Sequence, residues 1–581
     1  VAGPQELDDF EDVLGAGAQP VDEAVARAEA RRIVALGKRQ PAVDLTAKFK
    51  TPRGTMTLRP VQSAALAEIM HHGALFGPIG VGFGKTLISL LAGPAMRLSR
   101  TLPNPPRPGR TVILVPSSLR QKTIDEMTEV YAPHWKIDDV VVISYETLSG
   151  SSNSDLLDRH QPDLIVCDEA HMLAKDSARG RRFFRYLRQN PHVRVIPLSG
   201  SFTRESLKEY YKLVKVALQH LSPLPSDYPV FRSWDAVIST KDFFKEADRT
   251  GIIPFLNLTT KDHHVTPDME SFRTIARRQY AERTADVGCW VTAEGASTET
   301  KLQISAVKID IPSEIAAALY DVEKNWRRPD GEEFEDALSK YRYMWQLFQG
   351  YFMYWDWSKW PNAEPDQEWM AHRAGYHKQI RGFLKDPRLA VVNRDSPTNI
   401  ARAIRAGEII KPVDLLQAYA NWQKVKDRPV PPTKTRWMSD HMVDAIRAYV
   451  RKHDEPALIW VDSPLLRDKL GKYFTVYEPG VKPNEKRVET CVLTMTSHNA
   501  GLNLQNWRRN LLTKMPGSNT MLQQLIGRTW RAGQQSLVQA DYFVSDAAPF
   551  IESVVDSLHR QAQYTFETTR QTQAVLEATW R

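Results

Sequence analysis

The chain has 581 residues, 42% hydrophobic and 25% charged, a balance that fits a folded protein and excludes an intrinsically disordered one. At that length a single core is not expected, and roughly two to four domains are. The formal charge of +8 favours a polyanionic partner, although a solvated basic surface accounts for it equally well.

Cys167, Cys289 and Cys491 stand far apart, and no pair has metal-ligand spacing. Neither structural zinc nor a disulfide framework is expected, and Cys167 and Cys491 lie in apolar runs that read as core. No apolar run is long enough to cross a bilayer, and the first residues lack a signal-peptide core. The expected setting is a reducing one without membrane contact, not secreted: the cytoplasm of a bacterial, phage or viral system, or another intracellular compartment.

In chain order, residues 1–50 read as an N-terminal extension, acidic from Glu6 to Asp12 and then a surface helix over Val21 to Leu36. Over 51–204 the pattern becomes strand, loop, helix. Ala74 to Ile79 is apolar, then glycine-rich, then helical through Leu98. Thr111 to Pro116 is a buried-strand run followed by a helix from Ser118. Val140 to Ser144, Leu164 to Asp168 and Val193 to Leu198 repeat the theme. Such alternation predicts a parallel sheet covered on both faces. Over 205–435 it gives way to a helical insertion containing Trp326, Trp345, Trp355, Trp357, Trp360 and Trp369, with Pro429 to Lys434 as a linker. These tryptophans read first as core and second as base-stacking surface. A second α/β block, 436–581, has strands at Ala457 to Asp462, Thr490 to Met495, near Leu511 and near Tyr542, and ends in a helix.

Gly80, Gly82, Phe83, Gly84, Lys85 and Thr86 lie between an apolar strand and a helix, the context a phosphate-binding loop requires. Glycines let successive N–H groups turn toward phosphate oxygens, Lys85 would reach the β- and γ-phosphates, and the Thr86 hydroxyl would hold Mg²⁺. The general pattern has glycine where this chain has Ile79. Asp168-Glu169-Ala170-His171 follows an apolar run, which sets two carboxylates at the end of a strand, one for Mg²⁺ and one to orient water. In the second block Arg528 and Arg531 are three residues apart on one face, flanked by Gln524 and Gly533-Gln534. They are suited to stabilising charge on a transferring phosphoryl group from another lobe. The basic run Arg179, Arg181, Arg182, Arg185 and Arg188 reads equally as a phosphate contact or a solvated face.

In that order these three motifs resemble superfamily-two helicases, and within them the SWI/SNF-type DNA translocases. Leu58 to Gln62, Ile113 to Ser118, Ile143 to Glu146, Leu198 to Ser201, Ala457 to Ser463 and Ser497 to Gln505 resemble further family segments in order. Lys301 to Tyr320 is similar to the stretch these proteins place between their helical protrusions. Departures are Ser199 and Ser201 where the family has threonine, few glycines around Gly501, Trp530 for histidine, and Met515-Pro516-Gly517-Ser518 before the arginine motif.

The resemblance implies two RecA-like lobes with a P-loop NTPase core, ATP and Mg²⁺ as cofactors, and a monomeric motor on nucleic acid, foremost the backbone of double-stranded DNA. It implies that Gln62 contacts adenine and that Gly501 and Gln524 belong to the ATP site. It further implies that His171, Ser199, Gly200 and Ser201 couple the lobes, and that Ser117, Ser118, Ser144, Ser497 and Asn499 touch the nucleic acid. A strand-separating DNA or RNA helicase and a non-catalytic nucleic-acid clamp are the competing readings.

Overall fold

The structure is a computed structural model that describes residues 20–581 apart from 42, 81, 100–101, 103, 151–152, 154, 175–176, 241–247, 261–267, 294–297, 332, 335–336, 360–365, 386–396, 430–431, 479–480, 482, 485 and 499–500. The acidic start, Trp360, the middle of the Pro429–Lys434 stretch and Asn499 therefore lie outside the described residues.

The first sheet holds β1 (Gly77–Pro78), β2 (Thr111–Val115), β3 (Val140–Ser144), β4 (Leu164–Asp168) and β5 (Arg194–Ser199), in the order β1-β5-β4-β2-β3. Every pairing is parallel. β2 and β4 are buried along their whole length, which is why they read as continuous apolar runs and not as alternating ones. β1 is shorter than the apolar run Ala74 to Ile79. Phe76 leaves the sheet to pair with a later segment, donating its N–H to the Cys289 carbonyl at 2.7 Å and accepting from Val291 at 3.1 Å.

The second sheet holds β6 (Leu302–Lys308), β9 (Ala457–Val461), β10 (Thr475–Val476), β11 (Cys491–Thr494), β12 (Arg509–Leu512), β13 (Val538–Val544) and β14 (Thr579–Trp580), in the order β10-β11-β9-β12-β13-β6-β14, again all parallel. β7 (Tyr351–Trp355) and β8 (Thr433–Trp437) form a separate antiparallel pair. The chain is thus an α/β protein with two parallel sheets, two RecA-like lobes of a P-loop NTPase core.

β6 corrects the expected helical insertion. It pairs in register with β13 from Leu302↔Val538 to Lys308↔Val544, so the second lobe begins well before residue 436. Only Leu302 and Ile304 are buried along it, and its partner lies more than two hundred residues away. The helices Ser313–Asn325 and Ala337–Phe348 add Ile315, Leu319, Val322, Trp345 and Phe348 to the second lobe's core. Thr433 and Lys434, read as linker, start β8.

The helices Lys208–Leu218, Tyr228–Ile238 and Met269–Asp286 join the first lobe's core. What remains independent is a small cluster on the helices Gln367–Lys385, Pro397–Arg405 and Val413–Val425, built on Tyr376, Ile380, Phe383 and Leu415. The tryptophans pack. Trp345 and Trp369 are buried, and Trp369 sits edge-on to Trp355 and Trp422 with ring centres 5.0 and 5.7 Å away.

The helix Glu23–Val34, capped by Asp22, lies on the first lobe with Ala26, Ala30 and Ile33 buried. Arg32 holds it there by donating to the carbonyls of His220, Ser222 and Leu224. None of the described helices is long and apolar enough to cross a membrane.

Candidate active site between the two sheets

The glycine loop runs from β1 into the helix Lys85–Arg97. Gly82 (φ 88°) and Gly84 (φ 76°) adopt left-handed backbone that glycine alone takes up at no cost. A Cβ on Gly84 would also collide with the Gln62 amide, whose Nε2 donates to the Gly84 carbonyl at 3.1 Å. Gln62 Oε1 in turn accepts from Arg59 N at 2.8 Å, and the Arg59 guanidinium donates to the Gly82 carbonyl. One donor and one lone pair of the Gln62 amide remain for another partner. Lys85 and Thr86 open the helix, where its dipole is positive. The Lys85 ammonium is buried, and its contacts among the described residues are long, 3.3 Å to the Ile79 and Gly80 carbonyls and 3.5 Å to Glu169 Oε1.

β4 ends at Asp168, and Glu169 turns the chain with a left-handed backbone, φ 55°, unusual for a residue with a side chain. Its N–H donates to Asp168 Oδ1 at 3.0 Å. Burial, opposed by Lys85, pushes the Asp168 carboxyl up to about 6. Burial also acts on Glu169, but Lys85 and His171 outweigh it and hold that carboxyl below the usual range. The register Asp168↔Leu198 brings the end of β5 alongside. There Ser199 Oγ lies 2.9 Å from His171 Nδ1, donates to Glu169 Oε2 at 3.3 Å, and accepts from Ser201 N at 3.2 Å.

From the second lobe, the helix Asn519–Ile526 and the turn after it carry Gln524, Arg528 and Arg531. Arg528 donates to the Gln524 and Leu502 carbonyls at 2.9 and 3.2 Å, and Arg531 reaches the Leu502 carbonyl at 3.4 Å. Burial and then Arg531 bring the Arg528 guanidinium down to about 10, with Glu169 of the first lobe pulling the other way. Arg531 is lowered by burial and then by Arg59, against Glu126 and Tyr131, all three in the first lobe.

The two sets line one cleft of about 960 Å³. Gly82, Gly84, Lys85, Thr86, Asp168, Glu169 and His171 form one wall, and Gly501, Gln524, Arg528 and Arg531 the other. Ser117, Ser118, Ser201 and Ser497 border it, while Gln62, Gly80, Phe83, Ser199 and Gly200 stand behind the lining.

Ser144 is a correction. It is buried, and its hydroxyl caps the helix Tyr145–Ser149 by accepting from Thr147 N at 3.0 Å, so it is not presented to a nucleic acid. In the basic run, Arg182 is committed to the Leu148 and Gly150 carbonyls.

Three residues that no motif marks, Lys122, Gln571 and Gln573, join the parts of the site. Gly501 (φ 78°) lies so close to the first lobe that a Cβ would sit 2.8 Å from Leu119, and Lys122 donates to its carbonyl. Lys122 also pairs with Glu126 at 3.4 Å, an i,i+4 pair that was the one sequence signal available. Near the C-terminus Gln571 donates to the Gly200 carbonyl at 2.5 Å. Gln573 donates to the Gln571 carbonyl at 3.0 Å and accepts from Asn519 and Gln523, on the arginine-bearing element, at 2.6 and 2.7 Å. Nothing local marks these glutamines.

The model of the SNF2-related domain matches residues 132–252, from before β3 to beyond β5, which includes Asp168, Glu169 and Ser199. By that match the chain is similar to SNF2-family, helicase-like superfamily-two proteins. The match supports ATP-dependent translocation or remodelling on nucleic acid as a general activity. It does not reach the glycine loop or the second lobe. No curated protein matches the chain.

Proposed function

We propose that the protein hydrolyses ATP between its lobes and uses their closing and opening to move along nucleic acid, with duplex DNA as the track. One observation carries this reading. Lys85, Thr86, Asp168 and Glu169 of one lobe and Arg528 and Arg531 of the other line a single cleft, which puts opposed cations around a place where a polyphosphate would lie.

The chemistry of the donors fits ATP and Mg²⁺. The contacts of the buried Lys85 ammonium among the described residues are long, and the glycine loop ends at a helix N-terminus, a ready anion site. Asp168 and the Thr86 hydroxyl would supply oxygen ligands to Mg²⁺, which would neutralise charge on the phosphates. Glu169, kept ionised beside Lys85 and His171, orients and polarises the attacking water. Arg528 and Arg531 stabilise the charge that develops as the γ-phosphoryl group leaves, and only when the lobes are closed. Gln62 uses its remaining donor and acceptor for adenine. Through Ser199, bonded to both Glu169 and His171, the carboxylate senses the Ser199–Ser201 loop, and Ser117, Ser118 and Ser497 meet the phosphate backbone. The similarity to the SNF2-related domain and the basic charge support a nucleic-acid track in general, and the resemblance of the motifs to SWI/SNF-type DNA translocases favours duplex DNA.

The test is ATP turnover with no nucleic acid and with duplex DNA, single strands and RNA, beside triplex- and strand-displacement assays. Duplex DNA is expected to stimulate turnover most and to support triplex displacement without strand separation. Lys85→Ala is expected to cut turnover about a hundredfold or more while the chain stays folded. Undiminished turnover in that variant rejects the site, and stimulation by RNA or single strands alone rejects the track.

A further inference from the structure

Away from the cleft, the helix Pro60–His72 presents Glu68 and His72 four residues apart on one face. Cys289 meets them from a turn more than two hundred residues later. A carboxylate oxygen, a ring nitrogen and the thiol sulfur of these three lie within 4.8 Å of one another. His72 Nε2 stands 3.4 Å from Glu68 Oε2. Two ligands on a tetrahedral ion with bonds of about 2.0–2.1 Å are separated by about 3.3 Å.

The surroundings hold these groups in place and leave their binding atoms spare. Glu68 is wholly buried, and its oxygens are oriented by backbone donors, Gln40 N at 2.6 Å and Cys289 N at 2.9 Å. Cys289 takes a left-handed backbone, φ 67°, unusual for a residue with a Cβ. Gly288 lets the turn approach, since a Cβ there would lie 2.8 Å from His72 Nε2 and 3.4 Å from Glu68 Oε2. Among the described residues His72 Nε2 is buried without a hydrogen-bond partner, and the Cys289 thiol is in no disulfide.

A buried carboxylate needs a compensating cation. Among the described residues the ion-pair partner of Glu68 is His72, at 3.4 Å, and Cys289 closes the group. Two backbone N–H groups would satisfy the carboxylate's lone pairs but would leave its charge, the His72 nitrogen and the thiol unmatched. One thiolate, one carboxylate and one neutral imidazole balance a divalent cation without residual charge, and thiolate with imidazole selects zinc-like ions over Mg²⁺.

We infer that Glu68, His72 and Cys289 form a binding site for a zinc-class divalent cation, which ties the N-terminal segment at Gln40, the helix that carries Gln62 and the turn paired with Phe76. The site is structural, and independent of the cleft.

The experiment is elemental analysis of the full chain, purified without chelator or metal-affinity resin, followed by Co²⁺ titration of the metal-free protein. About one zinc per chain is expected, together with a sulfur-to-cobalt charge-transfer band and an X-ray absorption shell holding one sulfur. Cys289→Ser and His72→Ala are expected to lose the metal, whereas Cys491→Ser is expected to keep it. The wild-type Co²⁺ spectrum decides the matter even if a variant misfolds. Sub-stoichiometric metal that dialysis removes, absence of the band, or a metal retained by Cys289→Ser overturns the site.

Discussion

Lys122 of the first lobe donates its ammonium to the carbonyl of Gly501 in the second at 2.7 Å, beside the point where Gly501 packs against Leu119. This contact closes the cleft from the side. It couples the helix after β2 to the loop whose Leu502 carbonyl receives both Arg528 and Arg531. A change at the seam therefore acts on the arginines without touching them.

Gly501→Ala is expected to hinder closure, because its Cβ would meet Leu119 and its backbone is left-handed. A cost of about 1–2 kcal/mol corresponds to roughly a tenfold loss of turnover. Steady-state turnover beside small-angle scattering with a non-hydrolysable ATP analogue checks it. Normal turnover with normal compaction would show that the seam is not used.

Arg528→Ala and Arg531→Ala are each expected to lower turnover by about a thousandfold, the usual worth of an arginine acting on a transferring phosphoryl group. Nucleotide affinity should change far less. Fluorescent-nucleotide titration beside single-turnover hydrolysis separates the two quantities. A fall in affinity with turnover per bound ATP preserved would remove the arginines from the chemistry.

The raised Asp168 carboxyl gives a pH signature. As the pH falls through about 6, Asp168 takes up a proton and becomes a poor ligand for Mg²⁺. The Mg²⁺ needed for half-maximal turnover should rise roughly tenfold per pH unit below that point and stay level above it. Mg²⁺ titrations across a pH series read this directly, and a level requirement through the acidic range would count against Asp168 as the ligand.

Gln571→Ala removes the bond to the Gly200 carbonyl and leaves that buried oxygen without this donor. A loss of about 1–1.5 kcal/mol, or roughly five- to tenfold in kcat, is expected if the loop Ser199–Ser201 must be held for turnover. KM for ATP should move little, since Gln571 does not line the cleft. A change confined to thermal stability, with kcat intact, would make the contact structural only.

The sequence alone carried the glycine loop, the Asp168-Glu169 pair and the arginines, because each is a short run whose local backbone fixes where its groups point. Gly84 needs a left-handed turn, Asp168 ends a buried strand, and Arg528 and Arg531 lie three residues apart in the stretch that closes the arginine-bearing helix. β2 to β5 were equally legible, since parallel strands buried on both faces are continuous apolar runs.

Tertiary structure alone decided the rest. β6 is only half buried and takes its pairing from β13, so nothing in its own composition marks it as part of the second sheet. Ser144 looks like a contact residue in sequence and is spent on a helix cap in space. Glu68 and His72 share a helix face, but Cys289 lies more than two hundred residues away, and the close approach allowed by Gly288 brings it to them. β6 and the meeting of Glu68 and His72 with Cys289 rest on contacts between residues far apart in the chain, which leave no local period or motif to read. The Ser144 cap is local, to Thr147 three residues on, and what tertiary packing decided there is that Ser144 is buried.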